Sequence, residues 1–495
     1  MSATTPPKIV RIPSLKTIES FGDHVHSLGI DLQFTPSIPT GKDSALIKPL
    51  DLNGRTIGNR WAIHPMEGWD GTTTGGLTDP MIRRWQRFGE SGAKLIWGGE
   101  AMAVRADGRA NPNQLIINEE NKVGIAHLRE TLIKAHQENF GRTNDLLIGF
   151  QLTHSGRFCR PNDKKRLEPR IAFRHPILDK KFGITSDEVV LSDDDLKQLI
   201  EAYIRAAKIA ADVGADFVDI KHCHGYLLHE FLGAHTRPGT YGGSLENRTR
   251  LLREIVSGIR SVAPKLEIGV RLSSFDWVPF KPNPALAEPG KLGPGMPEDF
   301  SHCLPYRYGF GVNQNNPVEY DLTETVQFLS ILESLGIRLV NLSAGSPYYN
   351  PHIQRPAIYP PSDGYQPPED PLVGVARQIN VVKQLKSQFP NLILVGTGYS
   401  YLQEYLPHVA EHYVRNNHVD IIGLGRMVLS YPGLFVDATT KGKIENRLIC
   451  RTFSDCTTAP RNGLRSGCYP LDDYYKTFED APKLKETKKA TGAGK

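Results

Sequence analysis

At 495 residues the chain is longer than a typical domain, but single barrels commonly exceed about 250 residues, so length leaves one to three domains and room for a large core. Its 59 basic and 54 acidic residues give a formal net charge of +5, too even a balance for a nucleic-acid binder, and part of the surplus sits in residues 483–495. Six cysteines without a closely spaced framework argue for a reducing, cytoplasmic setting. No apolar run approaches the roughly 18 residues of a membrane helix, and the start, MSATTPPKIVRIPSLK, lacks a signal-peptide core, so a soluble protein with no membrane partner is expected.

Residues 1–48, rich in Pro, Ser and Thr, read as an extension laid over a domain surface. Over 49–440 strands alternate with helices. Apolar runs place strands near 60–66, 93–101, 146–154, 217–222, 267–273, 338–344, 392–398 and 419–426. The clearest helix follows Ser192, which can cap while Asp195 returns the bond; Leu196, Leu199, Ile200, Tyr203 and Ile204 form one apolar stripe, and Gly214 ends it. Ser244 opens another, with Leu251, Leu252, Ile255, Val256 and Ile259 on its buried side. Eight such units suit either a (β/α)8 barrel or an open doubly wound parallel sheet. Two connections are long, 161–191 after the third strand and 276–320 after the fifth; the latter's aromatic and Pro/Gly content suggests a functional lid, or else a surface decoration or homo-oligomer contact. Residues 441–482 form a cysteine-containing extension, and 483–495 read as a disordered basic tail.

Chemistry concentrates in residues 216–248, DFVDIKHCHGYLLHEFLGAHTRPGTYGGSLENR. Alternation puts Val218, Ile220 and His222 on one strand face and Asp219 and Lys221 on the other, so Lys221 points into whatever the strand encloses, with His224 and Tyr226 just beyond it. A cation, an imidazole and a phenol at one strand end exceed what packing needs, although core histidines and a space-filling tyrosine remain the plain alternative. A third reading, zinc held by His222, Cys223, His224 and His229 in a barrel hydrolase, requires the strand to continue past Gly225. Elsewhere, GTG at 396–398 and GLGR at 423–426 suit phosphate binding, because glycine lets backbone N–H groups approach an anion and Arg426 adds charge; ordinary tight turns are the alternative. Arg271 ends the fifth strand in VRLSS, where a buried guanidinium needs an anion.

The run HGYLLHEFL…YGGS…ENR closely resembles the old yellow enzyme family of FMN-dependent NAD(P)H:flavin oxidoreductases. NRWAIHPM at 59–66, GFQLTHSGR at 149–157, GVRLSSFD at 269–276, GTG and DIIGLGR follow in that family's order. The resemblance implies a closed (β/α)8 TIM barrel and FMN contacts at Pro65, Met66, Glu67, Ala101, Gln151 and Arg271. It also implies a phosphate site at Gly396, Gly398, Gly425 and Arg426, and a substrate pocket shared by Trp69. Lys221 and His224 stand where the family holds a substrate carbonyl, and Tyr226 where its ene-reductases deliver a proton to the α-carbon. Two departures stand out. Glu67 occupies a position where many members carry Cys or Thr, and Lys221 one where His is usual, which suggests a more anionic substrate than a simple enone. Cys450, Cys456 and Cys468 lie where larger relatives bind a four-iron cluster, but three widely spaced thiols lack a fourth ligand, so no iron–sulfur cluster is expected. The implied activity is hydride transfer from NADH or NADPH to an electron-poor alkene conjugated to a carbonyl or carboxyl group; oxidation of an amine or alcohol is the alternative.

Overall fold

The computed structural model describes residues 8–491. Eight parallel strands close into a barrel: Trp61–Ile63, Leu95–Ile96 continued by Ala101–Ala103, Leu147–Thr153, Phe217–Ile220, Glu267–Ser273, Leu339–Ser343, Ile393–Gly396 and Ile421–Leu424. Closure comes from the first strand, which pairs with the second through Ala62↔Leu95 and with the eighth through Trp61↔Ile422. The open-sheet alternative is thereby excluded. The second strand is broken at Trp97–Glu100 because Gly99 takes φ +52°, where a Cβ would meet the Trp85 ring at 2.7 Å.

Outward strand faces bury Val218, Ile220, Val270, Leu272 and Leu342 against the helices. The helix Asp193–Asp212 carries the capping box of Ser192 and Asp195, and Gly214 follows it at φ +83°. Below the barrel a hairpin, Leu50–Leu52 with Arg55–Ile57, turns on Asn53 and Gly54, both at positive φ. It plugs the floor with Leu52 and Ile57 against Leu147, Phe217 and Ile421. The extension before it straps the helix Leu406–Arg415: Phe21 stacks on Tyr405 at 4.2 Å, and the Glu411 carboxylate accepts from Ser44 Oγ and Ala45 N, each at 2.9 Å.

Two expectations change. The insertion at 276–320 is not a lid over the barrel mouth. Its residues Val278, Phe280, Tyr306 and Val312 pack into a separate small core with Ile177 and Tyr365, and Asp276 holds Tyr349 Oη at 2.6 Å, so it buttresses the loop after the sixth strand. The basic tail is a helix, Asp480–Thr491, because Leu484 buries beside Ala459, Tyr469 and Tyr475 and Lys488 pairs with Asp455 at 2.7 Å. Residues 492–495 lie outside the described residues. Among those described, no helix is long and apolar enough to cross a membrane.

Candidate active site

A cavity of about 230 Å³ opens at the carboxyl end of the barrel, where strand-end side chains face away from both helices and floor. Pro65, Met66, Glu67, Trp69, Gln151, Lys221, His224, Tyr226, Arg271, Gly398, Gly425 and Arg426 all line it. Two expected residues do not. Gly396 is still inside the seventh strand, in register with Ile422, and Ala101 is held one layer back by its pairing with Gln151 and by Gln114, whose amide donates to its carbonyl at 3.0 Å.

The pole near Gln151 and Arg271 is organised by Asp219. Its carboxylate accepts from Trp97 Nε1 at 2.7 Å, Gln151 Nε2 at 2.6 Å and the Arg271 amide at 2.7 Å. Burial pushes Asp219 up to about 6 despite these donors. The Arg271 side chain, only 5 % exposed, has no hydrogen-bond partner within the described residues, and its Nε is buried. A buried guanidinium aimed into a cavity without an acceptor is the strongest sign that a ligand completes the site. At the other pole Gly398 sits at φ +93°, and Arg426 donates to Thr457 Oγ1; burial, followed by the charge of Arg355, brings the Arg426 guanidinium down to about 10. Two guanidiniums with no carboxylate between them fit a phosphate. The donor set therefore fits FMN: Arg426, Arg355 and the Gly398 turn at the phosphate, and Arg271 and Gln151 at the ring edge.

Between these poles lies the candidate reacting face. Tyr226 and Lys221 both donate to the Glu67 carboxylate, and Lys221 Nζ stands 3.7 Å over the Tyr226 ring. Tyr226 Oη also meets Tyr348 Oη at 2.8 Å. Burial, followed by the Glu67 charge, holds the Tyr226 phenol well above its ordinary range, so it keeps its proton. His224, in left-handed backbone at φ +66°, places Nε2 2.9 Å from Ser343 Oγ. Burial and the charges of Arg271 and Lys221 depress it well below 6.5, so it is neutral.

The zinc constellation does not assemble. His222 bonds the Ile220 carbonyl through Nδ1 at 2.8 Å and packs on Phe328 on the outer face, whereas His224 faces the cavity and His229 caps Gly225 N at 2.9 Å. Among the described residues no group of three or more His, Cys, Asp or Glu is arranged for a metal ion. Cys450 instead lies 3.9 Å from Arg355 Nη2.

Several wall residues escaped the reading of the sequence. Tyr348 and Arg355 come from residues 344–370 after the sixth strand, a Pro- and Tyr-rich connection whose length alone was a signal. Thr457, Arg461 and Tyr475 come from the C-terminal extension, which closes one side of the cavity. Nothing local in that segment announces its destination.

A closed parallel barrel with an anion-hungry cavity at its carboxyl end, and a protonated phenol within it, is an arrangement that suits a flavin-type barrel oxidoreductase. The chain belongs to the NADH:flavin oxidoreductase / NADH oxidase family, whose sequence pattern matches residues 45–290. It is 25% identical over 421 residues to an NADH:flavin oxidoreductase of Gibberella zeae, covering 80% of this chain and 85% of that one. It is 31% identical over 247 residues to an NADPH dehydrogenase of a Geobacillus strain, covering 48% of this chain and 65% of the relative. In fold it is similar to 2-naphthoyl-CoA reductase in complex with 2-naphthoyl-CoA, with a TM-score of 0.61 at 17% identity. That match covers 86% of this chain, which spans 56% of the reductase's length. The protein is an FMN-dependent NAD(P)H oxidoreductase by family.

Proposed function

We propose that this enzyme takes hydride from NADH or NADPH and passes it to the β-carbon of an alkene conjugated to a carbonyl group. FMN, when bound, supplies the hydride-accepting and hydride-donating chemistry. In this reading Lys221 and the neutral His224 donate hydrogen bonds to a carbonyl oxygen, drawing electron density from the conjugated double bond. The Lys221 ammonium keeps two N–H donors beyond the one given to Glu67. Tyr226 holds the proton that the α-carbon needs, and Tyr348 at 2.8 Å offers the route by which it is replaced.

The observation that carries this reading is the convergence of a neutral imidazole, an ammonium and a protonated phenol from one strand end on the cavity that Arg271 and Gln151 also face. The test is an anaerobic two-stage reaction. The yellow holoprotein is reduced with NADPH, then mixed with 2-cyclohexenone or with cyclohexanone. Reoxidation by the enone alone is expected. Equal indifference to both, with bleaching of the flavin by a primary amine or alcohol in the absence of NADPH, would favour the oxidative direction. The Glu67 carboxylate lends that second reading its support, since it could accept a proton from such a substrate.

A further inference from the structure

Glu67 follows the first strand and reaches across to the end of the fourth, where its carboxylate accepts from Lys221 and Tyr226 together. The two partners differ in exposure: the Lys221 side chain is 3 % accessible and that of Glu67 15 %, so both line the cavity and the carboxylate is the more open member of the pair. The cations left without a carboxylate partner, Arg271, Arg355 and Arg426, lie at the poles where the ring edge and the phosphate would be held. Arg461, over the Tyr348 ring, is already paired with Asp363, and Arg160, whose charge also reaches Tyr348, does not line the cavity. The reacting face therefore carries one ammonium and one carboxylate in contact, and His224 beside them is neutral.

We propose that Glu67 is a specificity-determining residue, a built-in counter-ion to Lys221 that admits neutral conjugated carbonyl compounds and turns away substrates carrying a free carboxylate. The inference rests on the proposed alkene reduction, because it concerns the oxygen that Lys221 and His224 would hold. A neutral carbonyl oxygen can take one of the free ammonium protons while Glu67 keeps its own hydrogen bond, so no charge has to move. A substrate carboxylate at the same place would lie beside Glu67 in a water-poor pocket, two anions sharing one cation. Without Glu67 the balance reverses. Lys221 would then be an uncompensated buried ammonium, and an incoming carboxylate would be its natural partner. The suggestion from sequence that Lys221 favours an anionic substrate overlooks this partner, which lies 154 residues away.

The experiment compares two ligands of matched shape, trans-cinnamamide and trans-cinnamate, titrated into FMN-saturated protein by calorimetry and by perturbation of the flavin spectrum. The wild-type protein is expected to bind the amide at least tenfold more tightly. Glu67→Gln keeps an acceptor oxygen but removes the charge, and it should lower the amide-to-cinnamate preference at least tenfold, mainly by a gain for cinnamate. Glu67→Thr, which shortens the side chain, should shift the preference the same way. Wild-type protein that binds cinnamate as tightly as cinnamamide, or a preference unmoved in both variants, overturns the proposal. Calorimetry reads the preference whether or not the flavin turns over. A protein that shows it but is not reduced by NADPH would contradict the proposed function and leave the role of Glu67 standing.

Discussion

The lower and upper halves of the barrel interior are built by the same strands, a few residues apart, and they do opposite work. Inward positions near the floor are Leu147, Phe217, Leu339, Ile393 and Ile421, packed with Trp97 and the hairpin residues Leu52 and Ile57. One or two steps up the same strands stand Gln151, Asp219, Lys221, Arg271 and Asn341, all buried, with Arg271 Nε, Asn341 Oδ1 and His64 Nε2 lacking partners. The lower layer is saturated by contact with itself. The upper layer is not, and a polar layer left short of partners is a layer waiting for a ligand. Trp97 joins them, its ring in an edge contact with Phe217 at 5.3 Å and its indole N–H donating to Asp219.

The comparison predicts that damage to each layer has a different signature. The largest effect belongs to Phe217→Ala, which empties the space between Trp97 and Gly149, where the phenyl ring now leaves no room for a Cβ. A loss of about 3–5 kcal/mol is expected on chemical unfolding of the apoprotein, because a buried ring is replaced by a cavity. The protein that remains folded should bind FMN with unchanged affinity. A proportional loss of both would mean that the two layers are not separable.

In the upper layer Tyr226→Phe should slow reoxidation of the reduced enzyme by an enone about 100-fold, the scale of a lost general acid, and leave reduction by NADPH nearly intact. Stopped-flow measurement of the two half-reactions separates these outcomes. Equal slowing of both would remove Tyr226 from the proton-delivering role, and its bonds to Glu67 and Tyr348 would then be structural only.

How much of this was legible follows the same division. Alternation along 216–222 is enough to put Asp219 and Lys221 on the inner face, and a charged residue in VRLSS marks Arg271, because both signals are local to one strand. The Asn53–Gly54 turn of the floor hairpin is equally local, yet a reading tuned to strand–helix alternation passes over a hairpin that precedes the first barrel strand. Glu67 stands out as an unusual residue, but its pairing with Lys221 and Tyr226 depends on how two strand ends, 154 and 159 residues apart, are brought together by closure. The same holds for Arg355, and for the C-terminal wall of Thr457 and Arg461, whose place is set by tertiary packing rather than by pattern. The insertion at 276–320 is misjudged from sequence because composition marks a loop as structured without saying which neighbour it supports.

Arg271→Ala sharpens the contrast at smaller scale. Since the guanidinium has no hydrogen-bond partner in the described protein, its removal should leave the apoprotein's melting temperature unchanged or higher, as at sites where stability is given up for binding. FMN affinity should fall about tenfold, the worth of one charge-assisted hydrogen bond, and the bound flavin should become harder to reduce. Fluorescence titration with FMN and a reductive titration against a reference dye check the two effects. A destabilised apoprotein with unaltered FMN affinity would place Arg271 with the floor rather than with the site.

The smallest expected effect is the change that Asp219→Asn makes in the pH dependence of stability, which sets buried imidazoles against buried carboxylates. His136, His154 and His222 are held down to about 4 and His229 to about 3, chiefly by burial. In the unfolded chain they titrate near 6.5, so the folded protein binds fewer protons, and the stability this gives is complete above pH 6.5 and drains away as pH falls toward 4. Asp219 and Asp276, raised to about 6, and Glu100, raised to about 7, act with the opposite sign, since their folded forms take up protons before the unfolded chain does. Asp216 and Glu230, also raised by burial, join that opposing set, but the imidazoles prevail, because His64, His175, His224 and His352 are also held well below 6.5 and all eight lose ground together. Melting of the apoprotein followed by circular dichroism should therefore drop by several degrees between pH 7 and pH 5. In Asp219→Asn the opposing carboxylate is gone, so the drop should be steeper than in the wild type; an unchanged drop would mean that the Asp219 carboxyl stays ionised throughout this range, stabilised by Trp97, Gln151 and the Arg271 amide, and that the upper layer is better satisfied than its unpartnered atoms imply.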